Sequence, residues 1–363
     1  MRTSEFDLVV VGAGALGLCT ALAAVESRPD WSILVVDRDL PGGGATRWSA
    51  GMAVPFGPTP GHPAMIRQAT AVLRRWFGLV QAESGRVIEK MSSFVVAGEE
   101  SVGRLGDRAL PGSLTRVDVS ELERVCPDIR VQPGEVVLRC TGTYRIHAEP
   151  FVSAMWGCLM AQPAVRAWIG TEVVSVRRVR DGYELLTAAG VVTTAARVVL
   201  AIGAWFADAA APLGVVSPEL DIRAKRVVGL HCSVPAPPGS PMVEFVDDDL
   251  FMTPDPANNS IFVSFYRDEW LSPGAGPAPV IPSQKDIDLG RESLERRCRG
   301  LAEHVVGGRV AYDGYAPNRV PIVRRERGGP LVVVAGGSGS GLRLGPALAT
   351  EAVRLLTDAE VAA

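Results

Sequence analysis

The stretch Leu8-Val9-Val10-Val11-Gly12-Ala13-Gly14-Ala15-Leu16-Gly17, an alanine-rich run behind it, and then Ile33-Leu34-Val35-Val36-Asp37 decide the fold. Apolar runs bounded by turn residues predict strands buried on both faces, and the alanine-rich run predicts a helix between them. Gly12 permits the tight turn, Gly14 lets backbone approach a pyrophosphate, and Gly17 lets the helix lie close against the strand. The helix opening at Ala15 and Leu16 presents unpaired N–H groups and the positive end of its dipole to phosphates. Asp37 follows Gly17 by 20 positions, where a carboxylate accepts hydrogen bonds from a ribose 2′-hydroxyl. Strand, glycine turn, helix, strand and acid in this order predict a dinucleotide site without saying which dinucleotide.

At 363 residues the chain exceeds one small core, so two domains are expected, interleaved rather than consecutive. Charged residues make up 21% and apolar residues 47%, which excludes a disordered or fibrous chain. The net charge is −3 and the basic residues are scattered, so no stripe for nucleic acid is present. Cys19, Cys126, Cys140, Cys158, Cys232 and Cys298 show no CxxC pair and no metal-ligand spacing. With only four histidines, no metal site is expected, and reduced cysteines fit a cytoplasmic location. The N-terminus lacks the pattern of a secretory leader. Residues 8–25 are apolar enough for a membrane span, but they hold the glycine turn and are read as a buried strand and helix.

Past Asp37 and Arg38, the loop Pro41-Gly42-Gly43-Gly44-Ala45-Thr46-Arg47-Trp48-Ser49-Ala50-Gly51-Met52 lies where an open α/β sheet binds its ligand, so it is expected to touch the cofactor. Residues 62–83 carry a helical stripe of Ile66, Ala69, Leu73, Trp76, Phe77 and Val80. From 84 to 142 short alternating runs predict a separate sheet, with one short helix near Ser120–Arg124. A helix over 149–161 and a three-stranded meander (173–176, 183–187, 191–193) follow. The buried run 197–202 then returns the chain to the nucleotide domain. Residues 222–270 resume alternation, Ser272–Pro282 is the most linker-like piece, and a helix is expected near 286–303. The segment from Pro330 through Gly336-Gly337-Ser338-Gly339-Ser340-Gly341-Leu342-Arg343 to Pro346 is again strand, glycine loop and helix.

Four motifs, the N-terminal turn with its acid, Gly44-Ala45-Thr46-Arg47, Ala201-Ile202-Gly203-Ala204-Trp205 and the Gly336–Pro346 loop, resemble the FAD-dependent D-amino-acid oxidase superfamily. Within it, the chain looks most like the glycine oxidase and monomeric sarcosine oxidase branch, and the resemblance spans nearly the whole sequence. It implies an α/β chain with a Rossmann-like FAD-binding domain (1–83, 143–212 and 308–363) interleaved with a mainly antiparallel β-sheet substrate domain (84–142 and 213–307). It implies FAD rather than NAD. Adenosine diphosphate would lie on Gly12, Gly14, Ala15, Leu16, Gly17, Asp37 and Arg38, with Val173 or Val174 at the adenine. Ala45, Thr46, Arg47, Ala50, Gly51, Met52, Gly203 and Trp205 would line the flavin. Gly339, Ser340, Gly341 and Leu342 would present N–H groups to the flavin N1/C2=O edge, where a helix N-terminus stabilises negative charge.

The departures bear on chemistry. The sarcosine-oxidase branch attaches its flavin through a cysteine whose counterpart here is Ala311, so non-covalent FAD is expected. Where glycine and D-amino-acid oxidases place a carboxylate-clamping arginine, this chain has Asp313. Asp313 either faces the substrate as an orienting group or base, or stabilises a turn beside Gly314. Gly341-Leu342-Arg343-Leu344 resembles the Gly-Phe-Lys-Phe run that holds the carboxylate in the sarcosine-oxidase branch, so Arg343 is the expected anchor. Arg47 is a second basic candidate. Tyr266 and Tyr315 are expected on the substrate face, while Tyr144 is not placed. Asp247-Asp248-Asp249 and Asp268-Glu269 either favour a cationic substrate or form solvated faces.

No lysine occupies 260–265, where sarcosine oxidase carries its oxygen-activating lysine, so oxygen or another acceptor stays open. The expected activity is oxidation of a C–N bond of an amine or amino acid, secondary and cyclic amines included, by hydride transfer to flavin N5. The alternatives are oxidation of another bond, such as that of a hydroxy acid, or a flavin subunit of a hetero-oligomeric dehydrogenase. Substrate identity, stereochemistry and oligomeric state are not read from the sequence.

Overall fold

The opening pattern folds as its spacing predicts, with Phe6–Val11 and Ile33–Asp37 as parallel strands and Ala15–Ser27 as the helix between them. Leu8 and Val10 pack with the helices on one side of the sheet, and Val9 and Val11 enter a second cluster on the other, so the run is apolar without alternation. Gly12 has φ +107°, and a Cβ there would lie 2.3 Å from the Ala201 carbonyl oxygen. A Cβ on Gly17 would lie 1.8 Å from the Gly12 oxygen, which is the close helix–strand approach the turn requires. This computed structural model describes residues 5–84, 87–215, 220–237, 239–265, 267–272, 281–298, 300–326 and 329–361.

Two eight-stranded sheets carry the molecule. In the first, Phe6–Val11 lies between Ile33–Asp37 and Val192–Leu200; Val165–Ile169 and Leu331–Ala335 extend the parallel array on either side. Val192–Leu200 is longer than expected. Its first half pairs antiparallel with Gly182–Thr187 and its second half runs parallel to Phe6–Val11, so the meander and the returning strand are one continuous element. The C-terminal helix Gly341–Val361 packs beside Ala15–Ser27, placing both helix N-termini at one end of the sheet.

The second sheet runs in the order Val305–Tyr315, Arg223–Cys232, Ser260–Ser264, Leu250–Asp255, Met242–Phe245, Ser93–Gly98, Glu135–Cys140, Leu114–Val117, and one of its pairings is parallel. Val305–Tyr315 belongs wholly to it through its pairing with Arg223–Cys232, so the boundary expected at 308 falls inside a strand. Val228, Leu230 and Cys232 face a core under the helix Gln284–Arg297, while Lys225 and Val227 line the cavity on the other face. The helix expected over 286–303 ends at Arg297, and a 3₁₀ turn Leu301–His304 follows. Glu99–Gly106 is a helix and Val165–Ile169 a strand that the pattern did not signal. The helix over 62–83 forms as His62–Ser84 with Ile66, Ala69 and Trp76 buried; the side chains of Phe77 and Val80 lie outside the described residues, as does most of Ser272–Pro282.

Candidate active site

One cavity of about 560 Å³ runs from the glycine turn to the second sheet. At its first end stand Gly12, Gly14, Ala15 and Leu16, and the first helical bond closes only at Leu18 N–H to the Gly14 oxygen, leaving the turn's earlier N–H groups to other acceptors. The Thr46 hydroxyl accepts from Ala15 N–H at 2.9 Å and ties the second glycine loop to this helix. Gly17 does not line the cavity; its part is the packing contact described above. Asp37 does line it, but its carboxylate also accepts from Ala13 N–H at 2.5 Å and Asp39 N–H at 2.8 Å. Burial raises the Asp37 pKa, and these N–H groups act against the rise. Beyond it, Arg38 stacks its guanidinium 4.5 Å from the Trp205 ring centre, and Val173 completes the wall. Val174 alternates outward, is 39% exposed and does not line the cavity.

The middle of the cavity is formed by Ala45, Thr46, Trp48, Ala50, Gly51 and Met52 on one side, and by Gly203 with Gly336, Gly337, Gly339, Gly341 and Leu342 on the other. Gly203, Gly336 and Gly339 have positive φ, so the backbone turns toward the cavity without side chains in the way. Arg47 points elsewhere: it is exposed, with its guanidinium 5.2 Å from the Trp48 ring centre, and does not line the cavity. Ser340 is also outside the lining, its hydroxyl accepting from Arg343 at 2.9 Å.

At the far end the second sheet presents Lys225, Val227, Ala311, Asp313, Tyr315, Asp249, Phe251, Phe262 and Ser264. Lys225 pairs across from Asp313, and Val227 across from Ala311. Phe262 occupies the space over Gly229, where a Cβ would come within 2.0 Å of its ring. Neighbouring Arg226, which also lines the cavity, clamps Asp286 with two bonds of 2.8 and 2.7 Å, and Asp286 caps the helix Gln284–Arg297 together with Ser283, so the Lys225 strand is tied to that helix. Burial acts upward on the Asp286 carboxyl, but bonds from Arg226 and Ser283 hold it well below the ordinary carboxylate range.

Of the two expected substrate groups, Arg343 lies outside the cavity lining and Asp313 lies within it. Arg343 sits in the first turn of the last helix and donates to the Val54 and Phe56 carbonyls, both at 2.9 Å, and to Ser340. It holds the 54–56 segment and does not line the cavity, so the carboxylate anchor expected there is already committed to backbone. Burial pushes its pKa down to about 10, with Glu244 acting upward, so it remains charged at neutral pH. Asp313 lines the cavity but acts as a staple: it accepts from Gly314 N–H at 2.9 Å and from Gly339 N–H at 2.6 Å, joining the strand to the C-terminal glycine loop. Burial raises its pKa against those two N–H groups. Tyr315 lines the cavity beside Gly339, whereas Tyr266 lies outside the described residues. Sequence reasoning missed Lys225, Phe251 and Phe262; the one available signal was a lysine in the alternating run Arg223-Ala224-Lys225-Arg226-Val227.

The model of the family described as FAD dependent oxidoreductase (DAO) matches residues 7–355. The chain belongs to that family. Glycine oxidase from Geobacillus kaustophilus shares the fold with a TM-score of 0.82 at 17% identity, covering 98% of this chain and 95% of that one. L-proline dehydrogenase from P. horikoshii gives 0.83 at 16% identity, covering 98% and 94%. An L-α-glycerophosphate oxidase from Mycoplasma pneumoniae, solved with FAD bound, gives 0.80 at 18% identity, covering 97% and 94%. Among curated proteins, a thiamine thiazole synthase of Emericella nidulans is 45% identical over 51 residues, which is 14% of this chain and 15% of that protein's length.

The cavity fits FAD on its own terms. It is long enough to join a phosphate-binding turn to a second sheet, it has an acid at the ribose position, and it ends on a glycine loop opening a helix. Among the described residues no cysteine or histidine lines it, and Ala311 is part of its wall, which fits FAD bound without a covalent link. The protein is an FAD-dependent oxidoreductase. Among the described residues no helix is long and apolar enough to cross a membrane.

Proposed function

We propose that this oxidoreductase oxidises a C–N bond of an amine or amino acid, secondary and cyclic ones included, to the imine. The observation that carries the reading is the wall at the glycine-loop end of the cavity, where Lys225, Asp249 and Asp313 sit among Tyr315, Phe251 and Phe262. Such a wall suits a small polar substrate held against an apolar surface from which water is excluded. Bound FAD supplies the two-electron acceptor for a hydride from the carbon next to nitrogen. The substrate then loses its N–H proton, forms C=N, and is released for hydrolysis by water. The chain's part is to keep the cofactor's negative charge stabilised by the N–H groups of Gly341 and Leu342 at the N-terminus of Gly341–Val361, with Asp313 holding the loop before them in place through Gly339 N–H. In this reading the cofactor segments are 1–83, 143–212 and the C-terminal part from the glycine loop onward, and the second sheet binds substrate. The free state of all six cysteines supports the cytoplasmic location.

The test is anaerobic mixing of the yellow holoenzyme with panels of amines, amino acids and hydroxy acids, reading flavin absorbance, followed by readmission of air. Bleaching by amino compounds supports the reading, and the rate of recolouring identifies oxygen or another acceptor. Bleaching by hydroxy acids or glycerol phosphate alone overturns it.

A further inference from the structure

The face of the second sheet that closes the cavity continues past it. Along Arg223–Cys232, Lys225 and Val227 line the cavity, Gly229 follows on the same face, and His231 lines a separate opening of about 390 Å³ with Ser260, Asn258 and Asn259. On this strand only Gly229 separates the two spaces. Phe262 fills that level: it is paired with His231, yet its ring leans back over Gly229, where a Cβ would come within 2.0 Å of it, and it forms part of the cavity wall. Arg309 stands opposite Gly229 on the other neighbouring strand and lays its guanidinium 4.3 Å from the Phe262 ring centre, while the His231 ring meets that of Phe262 edge to face at 5.4 Å. The Arg309 Nε is buried without a hydrogen-bond partner among the described residues, which leaves the stack on Phe262 to fix the guanidinium. Beyond the ring the surroundings are polar. His231 Nδ1 lies 3.3 Å from the Ser260 hydroxyl and 3.5 Å from an Asp255 carboxylate oxygen. Burial and then Arg309 lower the His231 pKa against the pull of Asp255, so the imidazole behind the ring is neutral at pH 7.

We propose that Phe262 is the partition that sets how long a substrate the enzyme accepts: a chain growing along the wall of Val227 and Phe251 ends at this ring, and the polar pocket of His231 and Ser260 is shut off behind it. The partition adds a size limit to the C–N reading above, on which it rests, and requires no particular headgroup. A methylene that fits in front of the ring gains contact with apolar wall. One methylene too many must push the ring off its glycine floor and break the Arg309 stack, the penalty of overpacking a filled space. An apolar tail that passed the ring would then strip water from His231, Ser260 and Asp255 without pairing them. Removing the ring therefore admits tails that end in a hydroxyl or amide better than plain alkyl ones.

The experiment uses holoenzyme and the variants Phe262→Ala, Gly229→Ala and the two substitutions combined, each checked for FAD content, with straight-chain amines, α-amino acids and hydroxy acids lengthened one methylene at a time. The ratio of anaerobic flavin-reduction rate to half-saturating concentration is read for each homologue, and the Kd from the flavin spectrum where no reduction occurs. In the parent this ratio should rise about fourfold per methylene, the worth of one buried CH₂, and then fall at one chain length. Phe262→Ala should move the fall to longer chains and improve the first rejected homologue about tenfold or more, most of all when its tail ends in a hydroxyl or amide. Gly229→Ala drives the ring into the cavity and should move the fall to shorter chains. The double variant has no ring to displace and should match Phe262→Ala, which keeps the result readable if Gly229→Ala alone does not fold. Arg309→Met should soften the limit, improving the first rejected homologue about threefold, and Arg309→Lys should restore it. A fall at the same chain length in the parent, Phe262→Ala and the double variant overturns the inference, as do series on which no substitution has an effect. If amino compounds bleach the flavin with an unmoved limit, the partition fails and the C–N reading stands. If only hydroxy acids bleach it and the limit moves with Phe262→Ala, the C–N reading fails and the partition stands.

Discussion

Replacing Asp313 by asparagine separates a loop staple from a catalytic acid. The carboxylate accepts two backbone N–H groups, Gly314 at 2.9 Å and Gly339 at 2.6 Å, and only the second joins separate segments. Asparagine has one acceptor oxygen, so one of the two N–H groups must face an NH₂ donor. Leaving a buried N–H unpaired costs about 1–3 kcal/mol, and the exposed Gly339 N–H falls at the low end of that range. Part of that is offset, because burial already disfavours the charged carboxylate. A net loss of about 1.4 kcal/mol in the loop that cradles the flavin corresponds to a tenfold weaker FAD complex. Asp313→Ala orphans both groups and should weaken FAD by about a hundredfold, twice that free-energy loss. The assay is titration of apoprotein with FAD by fluorescence quenching, paired with the anaerobic reduction rate at saturating FAD. The staple predicts a raised Kd with a reduction rate within about fivefold of the parent, well short of the loss expected for a general base. An unchanged FAD Kd with a collapsed reduction rate would refute it and make Asp313 a group that meets the substrate.

Arg343→Ala should lower stability by about 2–4 kcal/mol in thermal or denaturant unfolding, because the buried Val54 and Phe56 carbonyls lose their donor. The half-saturating amino-acid concentration should stay close to that of the parent; a large rise would return Arg343 to the substrate. Glu244 lies opposite Phe251 in the second sheet, and burial raises its pKa to about 7, against the pull of Arg343. Its folded pKa exceeds its unfolded one, so its contribution is fully present below about pH 4.5 and is lost as pH rises to about 7. Glu244→Gln should therefore raise the melting temperature at pH 8 relative to the parent and leave it nearly equal at pH 4.5; a lower melting temperature at pH 8 would count against that. Acid precipitation should leave the flavin in the supernatant, whereas yellow pellet would contradict the non-covalent link.

Features written in local sequence were legible. The glycine turn, its helix and the acid 20 positions later follow from strand and turn chemistry within forty residues, and Gly12 and Gly17 have the steric roles their spacing implies. The departure at Asp313 was visible too, and the turn-stabilising alternative beside Gly314 describes one of its two bonds. What failed depended on direction rather than identity. Arg343 follows the family's basic position, yet its guanidinium turns back to carbonyls nearly three hundred residues earlier, a partner no local pattern encodes. Lys225 escaped notice because its meaning comes from the neighbouring strand, where register places it opposite Asp313. Val192–Leu200 was divided in two because its pairing changes from antiparallel to parallel midway, with no break in composition.

The pairing of Leu331–Ala335 with Val192–Leu200, and of the last helix with the first, also sets an order of events in the cell. A ribosome that has released only the first three hundred residues has produced the phosphate turn but neither the glycine loop nor the helix that closes the flavin end. Contacts of such long sequence separation form late, because loop closure must be met before they stabilise anything. The nascent chain therefore has no complete site for FAD. Cofactor capture therefore waits for the strand Leu331–Ala335 and the helix Gly341–Val361 to be made.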